Sequence, residues 1–227
     1  MKSCLTELVF ILDRSGSMNG LESDTVGGFN SMLQKQQKES AESGSCRITT
    51  VLFDNDYELL HDRIDIQAVK PITENEYFVR GQTALLDAIG KTIRKIADVQ
   101  KNTAEEYRAG KVLFIITTDG LENASREYSV RKVKRLIETQ KSKHGWEFIF
   151  MGANIDSVET AGRLGINADR AVDWLADNKG TALSYDIMSA AVGTFRAKGA
   201  VDDDVFNELR DDVKERSERR NNKKGDL

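Results

Sequence analysis

The chain of 227 residues is poor in three residue types that shape many small folds: it has 2 Cys, 2 His and 1 Pro. Two cysteines cannot form a disulfide scaffold, and so few thiols and imidazoles exclude an ordinary closed zinc site. Cys4 and Cys46 are read as buried, reduced thiols. Long apolar runs are also missing. A bilayer span takes about 20 apolar residues, whereas Leu8–Leu12 and Val112–Ile116 have strand length. The first of these runs passes directly into Asp13-Arg14-Ser15-Gly16-Ser17 with no small-residue cleavage site. It is therefore expected to open the fold rather than to act as a signal peptide. Charge of one sign is not in excess either: 33 basic residues face 37 acidic ones, for a net charge of -4. That balance argues against nucleic acid as a partner. No Walker-type loop is present and no Gly-x-Gly-x-x-Gly follows a strand, so nucleotide binding through a phosphate loop is unsupported.

What remains is an alternation of strand-like and helix-like segments, the pattern of an α/β fold with a mostly parallel sheet. Strands are expected at about Leu5–Leu12, Cys46–Asp54, Lys111–Thr118, Trp146–Met151 and Ala168–Val172. Asn55-Asp56 reads as a tight turn, after which Tyr57–Ile66 returns as an antiparallel edge strand. Helical spacing predicts helices over Leu21–Glu39, Ala84–Val99, Ser129–Lys143 and Thr181–Lys198, with a short one opened by Asp156 and closed near Gly165. The Gly27-Gly28 pair weakens the first helix locally. Ser43-Gly44-Ser45 is a loop. The reading is one domain over 1–200 and a charged extension over 201–227, partly helical or disordered. Within it Val205, Leu209 and Val213 keep helical spacing, and Glu215–Leu227 is expected to be mobile, with a basic docking tail as the second reading.

Three places carry candidate chemistry, and each lies where a strand ends or a helix begins. Asp13-Arg14-Ser15-Gly16-Ser17 follows the first strand, Gly81-Gln82-Thr83 precedes a helix, and Asp119-Gly120 follows the central strand. Open α/β sheets bind ligands outside the carboxyl ends of their strands. Oxygen-only ligands suit a hard cation such as Mg²⁺ better than Zn²⁺. Each residue also has an ordinary reading, Ser15, Ser17 and Thr83 as helix caps and Asp119 as a turn residue. Asp13 and Asp119 would project from adjacent strands, where two close carboxylates repel unless a cation sits between them.

Together Asp13, Ser15, Ser17, Thr83 and Asp119 resemble the metal-ion-dependent adhesion site of the von Willebrand factor type A family, whose motif is Asp-x-Ser-x-Ser, a distant Thr and a distant Asp. The strings Phe10–Met18, Gly81–Leu85 and Thr118-Asp119-Gly120 carry the likeness, which covers roughly residues 5–200. It implies a doubly wound, Rossmann-like, mostly parallel six-stranded sheet with one antiparallel edge strand and helices on both faces. It also implies that Ser15, Ser17 and Thr83 offer hydroxyl oxygens to Mg²⁺, with Mn²⁺ or Ca²⁺ as alternatives, and that Asp13 and Asp119 act directly or through water. The function it implies is binding of a protein partner that offers Asp or Glu, with no reaction. A stand-alone microbial, cytoplasmic member is the form the chain most resembles, and an ATPase is a candidate partner. Arg14 and Met18 flank the first loop, and Glu122 and Asn123 follow Asp119; these four are candidate partner contacts, against a reading as ordinary loop residues. The competing class is a Mg²⁺-dependent hydrolase or phosphatase on a similar sheet. It would need a second Asp two residues after Asp13, where this chain has Ser15.

Overall fold

The computed structural model describes residues 4–39 and 44–225, with the backbone alone for 220–225. Six strands form one sheet: β1 (Thr6–Asp13), β2 (Cys46–Phe53), β3 (Tyr57–Asp65), β4 (Lys111–Thr118), β5 (Glu147–Ala153) and β6 (Ala171–Trp174). The helices are α1 (Glu22–Lys38), α2 (Leu85–Asn102), α3 (Val130–His144), α4 (Ser157–Arg163), α5 (Asn178–Lys198) and α6 (Asn207–Gly225). Strand order is β3-β2-β1-β4-β5-β6. The edge strand β3 runs antiparallel to β2, and the other neighbours are parallel.

Burial on both faces explains why β1 reads as a continuous apolar run. Leu8, Phe10 and Leu12 pack with residues of α1, α5 and the start of α6. Val9 and Ile11 point the other way, into a core shared with α2, α3 and α4. The chain leaves β1 outward to β2 and β3, then crosses back to β4 on the other side. Direction therefore reverses between β1 and β4, and the carboxyl ends of these two strands flank the switch point.

The structure moves several expected boundaries. Ala168–Arg170 is a 3₁₀ turn and the last strand begins at Ala171. The Arg170 amide closes this turn on the Asn167 carbonyl (3.0 Å), and its guanidinium bonds Asp169 and Asp203 (2.9 and 3.0 Å) and the Val201 carbonyl (3.0 Å). Cys46 is buried but Cys4 is exposed, and both are free thiols. Burial pushes the Cys46 thiol up to about 12, so it stays protonated. The Ser43 end of the expected loop lies outside the described residues.

The segment read as a mobile tail is helical as far as Gly225, and only residues 226–227 lie outside the described chain. Its root is anchored: Val201, Phe206 and Leu209 are buried in the core. Lys179 at the start of α5 meets Asp212 at 2.5 Å, and Arg216 pairs with Asp212 and Asp177. The charges that look like a solvated run in sequence form an ion-pair ladder between α6 and α5.

The two glycines of α1 differ in what surrounds them. A Cβ on Gly28 would overlap the ring of Tyr185 from α5, whereas one on Gly27 would meet nothing within 4 Å. Gly27→Ala is expected to stabilise the protein by about 0.5–1 kcal/mol through helix propensity. Gly28→Ala gains the same propensity but is expected to lose about 1–3 kcal/mol to overpacking. Chemical denaturation of both variants checks this, and equal shifts of the same sign would refute it.

Candidate metal centre

The parallel register pairs Leu12 with Thr117 across β1 and β4. Asp13 closes β1 opposite Thr118, and Asp119 follows β4 directly. Both carboxylates are almost fully buried, at 1% and 2% exposure. Asp13 has partners for both oxygens: Oδ1 accepts from the Ser15 amide (2.7 Å) and Oδ2 from the Thr118 hydroxyl (2.6 Å). Its own carbonyl accepts from the buried Tyr77 hydroxyl. Asp13 thus ties the first loop to the end of β4.

The three hydroxyls expected at the site do meet. Thr83 Oγ1 donates to Ser15 Oγ at 3.0 Å, Ser15 Oγ and Ser17 Oγ are 3.1 Å apart, and Ser17 Oγ donates to Asp119 Oδ1. The relay ends on a half-satisfied carboxylate, because Asp119 Oδ2 is buried with no hydrogen-bond partner among the described residues. A Cβ at residue 120 would sit 3.2 Å from Ser17 Oγ and 3.5 Å from Thr83 Oγ1, so Gly120 leaves room beside the hydroxyls. Among the described residues no group of three or more His, Cys, Asp or Glu could hold a metal. The centre is instead built from hydroxyls with two carboxylates. Burial, together with the charge of Asp13, pushes the Asp119 carboxyl up to about 6, against the hydrogen bond from Ser17. Burial also raises Asp13, against its hydrogen bonds from Ser15 and Thr118.

Thr83 does not cap α2. The N-cap is Ala84, which makes no side-chain cap bond. The cap comes from the loop after Asp119: Glu122 accepts from the Leu86 amide (2.8 Å), and Ser125 Oγ accepts from the Asp87 amide (3.0 Å). Orphan amides at a helix start favour such an anionic partner. Glu122 is further occupied by the Ala124 and Ser125 amides and the Ser125 hydroxyl. Asn123 holds Thr83 from both sides, its Oδ1 accepting from the Thr83 amide (2.9 Å) and its amide donating to the Thr83 carbonyl (3.1 Å).

Glu122 is therefore engaged in holding α2, and Asn123, though exposed, clamps Thr83. The other two candidate partner contacts are turned inward, with Arg14 at 0% exposure and Met18 at 5%. Arg14 Nε donates to Asp54 Oδ2 (2.9 Å), and its Nη1 lies 2.7 Å from Glu58. Burial alone would raise Asp54, but hydrogen bonds from Arg80 and the Asp56 amide and the charge of Arg14 hold its carboxyl below the usual range. The large side chains that do face solvent near this rim are Phe78 and Leu121. Phe78 lies against Arg14 and Arg80, whose guanidinium carbons are 5.3 and 5.4 Å from its ring centre. Sequence reasoning gave no role at the site to Thr118, Asp54 or Phe78. For Thr118 a signal existed, since a hydroxyl directly before Asp119 is positioned by the β1–β4 register.

No protein-family profile matches the chain, and no curated protein matches it by sequence. Solved structures do match in shape. A von Willebrand factor type A protein from Catenulispora acidiphila is 15% identical, with a TM-score of 0.56 over 83% of this chain and 42% of that one. The ArnB paralog VWA2 from Sulfolobus acidocaldarius is 18% identical, with a TM-score of 0.51 over 83% and 45%. The manganese-loaded TRAP protein of Plasmodium vivax is 19% identical, with a TM-score of 0.56 over 80% and 71%. The chain spans less than half the length of the first two. At these identities the likeness shows the fold: a Rossmann-like α/β sheet of the von Willebrand factor type A kind.

The buried pair sets a pH dependence for the metal-free protein. A carboxyl whose folded pKa lies above its unfolded value of about 3.9 binds more protons in the native state, so stability falls as pH rises through that window. Between about pH 4 and pH 6 the Asp119 shift is expected to cost on the order of 2–3 kcal/mol. Asp119→Asn should flatten this decline. Melting curves in EDTA across that range check it, and identical profiles for wild type and variant would remove the assignment.

Proposed function

We propose that this chain is a metal-dependent protein-binding module of the von Willebrand factor type A family, holding Mg²⁺ or Mn²⁺ through Ser15, Ser17, Thr83 and Asp119 and capturing an acidic side chain of a partner. The observation that carries the reading is the hydroxyl relay that ends on the unpartnered Asp119 Oδ2. Such a set fits a small hard cation. Octahedral Mg²⁺ with oxygens at 2.0–2.1 Å has neighbouring oxygens roughly 3 Å apart, whereas Ca²⁺ spreads its ligands wider. The manganese-loaded neighbour agrees with this choice.

A bound cation supplies positive charge and an open coordination position for a carboxylate. The chain's own residues do the rest. Three neutral hydroxyls leave that charge largely uncompensated. Asp13 has both oxygens in use, so it orients the loop and would act on a bound ion through water. Asp119 offers its free oxygen, and a partner Asp or Glu completes the set through a charge-assisted bond.

A hydrolase reading finds less support. Ser15 stands where a second acid would be needed. His61 lies within β3 opposite Thr50, and His144 ends α3 at the far pole.

Saturating Mg²⁺ or Mn²⁺ should raise the melting temperature, with about 2.7 kcal/mol of stabilisation at a concentration 100 times Kd. Asp119→Ala should abolish the rise while the protein stays folded. A partner recovered on the immobilised chain in Mg²⁺ should be released by EDTA, and Thr83→Ala should weaken that partner more than the metal. An unchanged melting temperature with no heat in calorimetry would sink the reading.

A further inference from the structure

The loop that offers Ser15 and Ser17 also contains a positive charge. Arg14 stands between Asp13 and Ser15, so its guanidinium lies within one side chain's length of the hydroxyl relay. Its backbone is fixed on both sides: the Arg14 amide donates to the Phe53 carbonyl (2.9 Å), and its carbonyl accepts from the Arg80 amide (2.9 Å). Only the side chain has a choice of direction. Two buried carboxylates, Asp13 and Asp119, close the same rim, and an ionised pair at that depth calls for a counter-charge. Arg14 is the nearest cation in the sequence, yet it does not serve them. Asp13 spends its oxygens on the Ser15 amide and the Thr118 hydroxyl, and Asp119 accepts from Ser17.

The guanidinium is instead drawn to groups that lie outside the loop. Arg14 is 0% exposed, and a buried arginine is rare unless it is paired. Asp54, at the end of β2 and 1% exposed, accepts from Arg14 Nε at 2.9 Å. Glu58, half-exposed on β3, lies 2.7 Å from Arg14 Nη1. The ring of Phe78 covers the same guanidinium at 5.3 Å. Three separate segments thus converge on one side chain and turn it away from the hydroxyls.

We propose that Asp54 is a positioning residue of the metal centre: with Glu58 it withdraws the Arg14 guanidinium, so that the place of the counter-charge beside Asp13 and Asp119 stays open to a divalent ion. The proposal rests on the metal reading above and adds what keeps the site from being neutralised by its own loop. An Arg14 released from Asp54 would turn toward the Asp13–Asp119 pair and repel an ion held by Ser15 and Ser17.

The test is calorimetric titration of the full chain with Mn²⁺ alone. Asp54→Asn should weaken Mn²⁺ binding by about 10-fold, the scale of one unit charge brought near a divalent ion in a partly solvated site. Arg14→Met should not weaken it, and the double variant Arg14→Met/Asp54→Asn should regain wild-type affinity. That rescue separates withdrawal of a charge from bracing of a turn, because Asp54 also accepts from the Asp56 amide and loses that bond's strength in both Asn variants. Melting curves in EDTA show which variants fold. Should Asp54→Asn unfold, Glu58→Gln removes the more exposed partner and should weaken Mn²⁺ by about 3-fold; an unchanged affinity there would then overturn the proposal. A folded Asp54→Asn variant that binds like wild type, an Arg14→Met variant as weak as Asp54→Asn, or a double variant that stays weak would each overturn it while leaving the metal centre intact. A wild type that binds no Mn²⁺ would remove the metal centre, and the proposal with it.

Discussion

Two carboxylates at the ends of neighbouring buried strands set the terms for the upper pole of this molecule. The β1–β4 pairing puts Asp13 beside Thr118 and brings Asp119 to the same rim. Neither charge can stay bare at this depth, because taking an ion out of water is costly without partners. The surrounding loops answer that cost unequally. Asp13 receives an amide and a hydroxyl, whereas Asp119 receives one hydroxyl and keeps an oxygen free. The asymmetry separates a carboxylate whose oxygens are both engaged from one with an oxygen to spare.

A second charge cluster keeps the first from being spoiled. Arg14 stands inside the Asp13–Ser17 loop, and a loose guanidinium there would repel any cation bound to Ser15 and Ser17. It is instead drawn under the loop to Asp54 and Glu58, with Arg80 sharing Asp54 from outside. Asp54 also closes the β2–β3 turn through the Asp56 amide at 2.7 Å. One buried carboxylate therefore fixes a turn and removes a positive charge from the metal loop.

The succession of strands and helices along the chain, and the loops that carry the five oxygen-bearing residues, were legible in the sequence because both rest on local patterns. Periods of two and of 3.6 residues mark strands and helices, and Asp-x-Ser-x-Ser is a short string on one loop. What was not legible depends on chain segments far apart. Nothing near Asn123 says that it will grip both backbone groups of Thr83, 40 residues away. Arg14 looks like an exposed loop residue until Asp54 is placed beside it. The segment after Asp202 reads as solvated because its charges outnumber its apolar residues, yet Phe206 and Leu209 are buried and its ion pairs close onto α5. Pairing of distant charges leaves no periodic trace in either partner.

Loops held this firmly would change what binding of an ion must supply. Thr83 is clamped by Asn123, α2 is capped by Glu122 and Ser125, and the amides of 126–128 are gathered by the buried Asp87. The backbone of the site thus has little conformational entropy left to lose, and ordering cost is the usual tax on assembling a site from several loops. What must change is small. The hydroxyl protons of Thr83, Ser15 and Ser17, which now bridge one oxygen to the next, would rotate away so that lone pairs face a bound ion. A relay of neutral hydroxyls would do this without breaking a backbone bond, whereas a ring of carboxylates at the same depth would have to take up protons to assemble without the cation.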